Sequence, residues 1–136
     1  QLWALRDDSK AVQCVQHDYK TSAHGKYLGS KNHDYPRKNW ASLMLINCAH
    51  KSWKNLALFE AMELPSMELL QFKFLEDSEI GDLPAAWNWL ADERGENPSA
   101  KLVHWTTGIP AFPQYAQTPM ADLWAAEALK ITHATN

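Results

Sequence analysis

His104 lies in the stretch KLVHWTTGIP, residues 101–110. Leu102, Val103 and Trp105 suit a buried strand, and Gly108 and Pro110 end it. An imidazole at the end of a core strand has two uses. It is either a core histidine whose ring nitrogens find backbone partners, or a metal ligand delivered above the sheet edge. A second chemical group is Glu76, Asp77, Glu79 and Asp82, four carboxylates within seven residues around Gly81. Such a cluster can position a sugar, serve as a base or bind a cation, and a solvated acidic loop carries the same residues. The third is YPRKNWASLMLIN, residues 35–47, where a polar loop delivers Asn39, Trp40 and Ser42 to the start of a buried strand. Ligands of open α/β sheets gather where loops meet strand ends, which makes these three candidates for hydrogen bonds to a polar substrate. The plain alternative is that Asn39 closes a turn and Trp40 is core.

The elements that must position these groups follow from pattern. AVQCVQH, residues 11–17, favours a short strand. Residues 18–40 have no sustained period and contain Gly25, Gly29 and Pro36, so they read as a long loop of the kind that often carries function. ASLMLINC, residues 41–48, is a continuous apolar run, as in a strand covered on both faces. Trp53, Leu56, Ala57 and Glu60 have helical spacing within residues 51–63. Pro65 and Ser66 then break that helix and start another at Met67, running to about Phe74. Residues 75–85 read as an acidic turn, Trp87–Leu90 as a short strand, and 91–100 as a surface turn. Thr118 and Pro119 begin a last helix containing Leu123, Trp124 and Ile131. Strands alternate with helices, so the fold class is α/β.

The totals bound the function. The chain has 136 residues, within the usual range for one domain, and its 46% hydrophobic and 21% charged composition allows a core. A net charge of -3 with scattered basic residues argues against nucleic-acid binding. No apolar run reaches the ~20 residues of a membrane span. Cys14 and Cys48 form no Cys-x-x-Cys pair, which fits reduced thiols in the cytoplasm, and a disulfide between them requires adjacent strands. The seven tryptophans suit either a core or stacking on sugars and bases. The opening QLWALRDD reads as a helical turn already under way, as in a chain that begins within a longer fold.

The order of the motifs resembles the C-terminal half of a nucleotide-sugar glycosyltransferase of the GT-A fold. The similarity is to the family-8-like group of glycogenin and galactosyltransferases, and to glycosyltransferase-like proteins of bacteria and phages. NWASLMLIN, residues 39–47, resembles that family's donor-sugar segment, with Ser42 near its small residue. LEDSEIGDLPAAWNWL, residues 75–90, is similar to its acidic loop and Trp-Asn strand. Asp77 or Glu79 stands at the acidic position and Asn88 in the strand. LVHWTTGIPAF, residues 102–112, resembles the segment whose histidine ligates the catalytic metal, with Gly108 after it.

The resemblance implies a partial GT-A-like mixed sheet flanked by helices. Residues 1–136 would be a single domain, the sugar- and acceptor-side portion, with the nucleotide-binding part missing. Asp77 and Glu79 would be catalytic, Asn39, Trp40, Ser42, Asn88 and Gly108 substrate-binding, and His104 the metal ligand. It also implies a UDP-sugar donor, an acceptor approached by loop 18–38, and Mn²⁺ or Mg²⁺. The chain departs from the pattern in its His-x-x-x-Gly-x-Pro spacing, and it lacks the following lysine and the Asp-x-Asp motif. One histidine cannot hold a hard cation, so metal and donor should bind weakly to this chain alone. An uncovered face would favour self-association into a homo-oligomer. Two other readings compete. One is a non-catalytic carbohydrate-binding or assembly module. The other is a metal phosphohydrolase built on His17-Asp18 and His33-Asp34.

Overall fold

Val12–Cys14 forms β1, with both neighbours supplied by residues far along the chain. β2 (Leu45–Ile46) pairs with it antiparallel and β3 (Ile80–Asp82) parallel, giving the order β2-β1-β3. Being central, β1 is buried along its whole length. Its one polar residue, Gln13, has its amide satisfied: Nε2 donates to the Leu5 carbonyl at 3.0 Å, and Oε1 accepts from the Asp7 N–H at 2.6 Å. The structure, a computed structural model, describes residues 1–55 and 62–134. It divides the chain into two compact units, Gln1–Tyr19 with Tyr35–Trp87, and Lys20–Asp34 with Asn88–Asn136.

In the first unit Ala11, Val12, Cys14, Phe72, Leu75 and Ile80 form a buried cluster, with Trp40, Ala41, Trp53 and Phe74 packed against it. Each fully buried aliphatic side chain contributes roughly 1.5–3 kcal/mol. The tryptophans bring polar N–H groups into this core and bond them. The Trp40 indole donates to the His17 carbonyl at 2.9 Å and that of Trp53 to the Ala11 carbonyl at 2.8 Å. Helices α1 (Lys51–Asn55) and α2 (Ser66–Leu70) follow β2. Leu56, Ala57 and Glu60, on which the longer helix was expected, lie outside the described residues.

The second unit pairs β4 (Trp89–Leu90) with β5 (Val103–His104) in parallel, opposing Trp89 to Val103 and Leu90 to His104. α3 (Ala91–Arg94) connects them from the end of β4, and α4 (Ala121–Ala134) closes the chain. Leu90, Ala91 and Met120 are buried. The α/β class holds: two small sheets, one mixed and one parallel, accompany a few helices.

Several expected elements differ: the helix expected from Met67 to about Phe74 ends at Leu70, Trp87–Leu90 is a strand only at Trp89–Leu90, and the expected surface turn 91–100 opens with α3. The apolar run 41–48 is a strand only at Leu45–Ile46, on the edge of the sheet, with Ile46 40% exposed and not covered on both faces. Residues 40–42 form a 3₁₀ turn because Asn39 is left-handed and Ser42 Oγ bonds back to the Asn39 carbonyl at 2.6 Å. The stretch 75–85 is not only a turn, since it contains β3, where Ile80 and Gly81 are buried beside β1. Gly81 allows that approach: a Cβ there would lie 2.7 Å from Gln13 Cγ. Cys14 and Cys48 are both free thiols, one buried and one exposed. Among the described residues no helix is long and apolar enough to cross a membrane.

Candidate functional site

His104 is the last residue of β5, and its half-buried ring meets the wholly buried Asn88, just before β4. His104 Nδ1 and Asn88 Oδ1 are 3.2 Å apart. Burial pushes the imidazole below its ordinary pKa, the Asp92 carboxylate offsets part of this, and the Lys26 charge adds to the lowering. The balance favours the neutral ring. An amide oxygen facing Nδ1 selects the tautomer with its proton there and leaves the lone pair on Nε2. That nitrogen can accept a proton or a hydrogen bond from a hydroxyl.

The turn after β5 is held by a residue that the sequence had placed in a surface turn. Asp92, in α3, accepts from the Thr106 N–H at 3.1 Å and the Thr107 N–H at 2.7 Å. The hydroxyls of Thr106 and Thr107 also donate to it. Glu93 beside it accepts from the Ser22 N–H at 3.1 Å and from the Thr21 hydroxyl. No motif marks these two acids, because their threonine and serine partners are distant in sequence. Gly108, expected to approach a ligand, is approached by the Tyr115 ring, which a Cβ would meet at 2.1 Å.

Asn39, Trp40, Ser42, Asp77 and Glu79 belong to the first unit. Arg37 and Asn39 both adopt left-handed backbone, with φ 55° and 63°. Non-glycine residues in that region are worth a functional question. Asn39 Nδ2 donates to the Tyr19 hydroxyl at 2.6 Å. Tyr35, Asn39, Ala41, Ser42 and Leu70 line a cleft of about 160 Å³. Beside Trp40, the Arg37 guanidinium lies 5.3 Å from the indole centroid, pairs with Asp77, and donates to the Gln71 and Phe72 carbonyls. Lys38, which the sequence did not single out, is buried with its ammonium 5.7 Å and 5.8 Å from the Tyr19 and Tyr35 rings.

Glu79 is engaged locally. It accepts from Ser52 Oγ at 2.5 Å and from the Glu76 N–H at 3.0 Å, closing a capping box, and these bonds lower its pKa. Asp77 is exposed apart from its Arg37 contact.

The ligand sets do not fit a metal by themselves. Among the described residues no three His, Cys, Asp or Glu side chains come together, and Asp92 uses both oxygens on the Thr106–Thr107 turn. A hard divalent ion at His104 would need ligands beyond the described residues.

The chain is 39% identical over 132 residues to a protein of Arabidopsis thaliana named "Protein CDI". That match covers 93% of this chain and 51% of the plant protein, so the chain spans about half the length of the curated relative it matches. No protein family and no solved structure matches. The resemblance to the family-8-like GT-A glycosyltransferases of bacteria and phages is thereby corrected. Neither that family nor its fold is found, and the relative is a plant protein of a different name. The motifs behind it, a Trp-Asn pair, a His before Gly and a small residue before an apolar run, are short. In this chain each also has a local structural use: Asn88 against His104, Gly108 against Tyr115, Ser42 in its turn.

Proposed function

We propose that this chain supplies the sugar-handling side of a protein that transfers a sugar from a nucleotide-sugar donor, a UDP-sugar, to an acceptor. The observation that carries this reading is the Asn88–His104 pair. Asn88 is fully buried and holds a neutral imidazole at the carboxyl end of a parallel strand, where ligands of α/β sheets collect. Nε2 of His104 would take the hydrogen of a sugar hydroxyl, while the Asp92-anchored turn keeps the ring's strand end in place. By itself, the first unit would offer a separate polar contact at the cleft of Asn39 and Ser42, and an exposed carboxylate in Asp77, steadied by Arg37. Mn²⁺ or Mg²⁺ would neutralise donor phosphates when bound, with most of its ligands drawn from beyond the described residues. The free thiols of Cys14 and Cys48 favour the cytoplasm.

The alternative, a non-catalytic carbohydrate-binding module, is favoured by Glu79, whose contacts close its own turn. One titration separates the two readings. Calorimetry of UDP-glucose with Mn²⁺ should show binding to the chain and at least about tenfold weaker binding to His104→Ala. Equal binding of glucose alone would favour the module, and absence of UDP-glucose binding would overturn the proposal.

A further inference from the structure

The second unit displays a hydrophobic side chain at the tip of a basic loop. Between Lys20 and His33 the sequence has three lysines, two histidines and no acidic residue, although the whole chain carries a net charge of -3. The loop is built, not open-ended. Gly25 and Lys31 form an antiparallel bridge, Lys26 N–H donates to the Ser30 carbonyl at 2.7 Å, and Asn32 N–H donates to the His24 carbonyl at 3.1 Å. Its base is fixed through Thr21 and Ser22, which donate to Glu93, and Thr21 N–H donates to Asp34 at 3.0 Å. Glu93 and Asp34 hold the base, while Asp92 holds Thr107, to whose carbonyl the Tyr27 N–H donates.

Tyr27 settles which apolar group faces outward. Its N–H donates to the Thr107 carbonyl at 2.7 Å, and its ring stacks on Phe112 with centroids 4.2 Å apart. Leu28, the next residue, is 82% exposed. It holds left-handed backbone at φ 61°, a region that leucine rarely adopts and glycine would adopt freely. Around it the space is open: a Cβ added at Gly25 or Gly29 would meet nothing within 4 Å. Lys20 and Lys31 are exposed and Lys26 half-buried.

We infer that this loop docks the chain on an anionic lipid bilayer, with Leu28 entering the headgroup region and Lys31 and the half-buried Lys26 supplying positive charge toward acidic headgroups. The 82% exposure of Leu28, with open space at Gly25 and Gly29, decides between partners. A protein partner would have to offer a hollow that fits a projecting leucine, whereas a bilayer interface yields to it. Lysines beside the inserted group add attraction to a negatively charged leaflet. It does not rest on the proposed sugar transfer, although the Lys26 charge also bears on His104.

Vesicle flotation tests it. The chain should float with phosphatidylcholine vesicles containing roughly one-third phosphatidylserine, should not float with pure phosphatidylcholine, and should be released by raised salt. The double variant Lys26→Glu/Lys31→Glu should weaken binding at least about tenfold. Leu28→Gly, which keeps the backbone conformation without strain, should weaken it several-fold with an unchanged melting temperature. Absence of binding to the acidic vesicles, or binding indifferent to both variants, would overturn the inference. Binding to a polyglutamate peptide without vesicle binding would also overturn it, and would point to an acidic protein partner.

Discussion

At His104 two opposing effects are read by one ring. Burial disfavours the imidazolium and Asp92 favours it, with burial the larger. The sign for stability follows. A histidine whose folded pKa lies below 6.5 binds fewer protons in the native state than in the unfolded chain between those two values. Its contribution is therefore fully present above pH 6.5 and falls as the pH drops toward the folded pKa. Thermal melting from pH 7.5 to 5 should show this loss in the native chain and less of it in His104→Gln. Equal slopes would mean that His104 does not titrate differently on folding. The sequence showed that an imidazole stands at a strand end. It could not show Asn88 as its partner, because that contact depends on the parallel pairing of β4 with β5.

Elements were legible in proportion to their apolar contrast. β1, β4, β5 and the last helix were visible from Val12, Leu90, Val103 and the 121–134 pattern. β3 was not, because Ile80 stands among carboxylates and its strand partner lies 68 residues earlier. Asp92 was hidden for a similar reason: ADERGENPSA has the composition of a surface turn, yet Asp92 ties the start of α3 to the turn after β5. Asp92→Asn offers one acceptor oxygen where the carboxylate offers two, and so leaves Thr donors without partners. We expect it to destabilise the chain by about 2 kcal/mol in urea titration. It should also lower the His104 pKa further, because the charge that raises it is gone. A raised or unchanged value, measured from the ring resonances, would contradict this account of the site.

For the whole molecule, charge and composition were informative about class and weak about activity. The tryptophans show why. Seven in one chain suited either a core or stacking surfaces, and the indoles of Trp40, Trp53, Trp89 and Trp105 each donate to a backbone carbonyl, whereas Trp3 is 65% exposed. The order of short motifs suggested a family that the comparisons do not find, while a relative twice as long matches across nearly the whole chain. The residues that can do chemistry are divided between two units, each with its own sheet. The proposed sugar handling therefore stands on the Asn88–His104 pair, within the second unit.

The most direct measurement is a titration of UDP-glucose followed by the histidine ring resonances, with His104 assigned from the His104→Ala spectrum. The account predicts a saturable shift of the His104 signals at neutral pH that glucose alone does not reproduce and that Asn88→Ala abolishes. Saturable shifts at other histidines with His104 unmoved, or no shift at any ring, would contradict it.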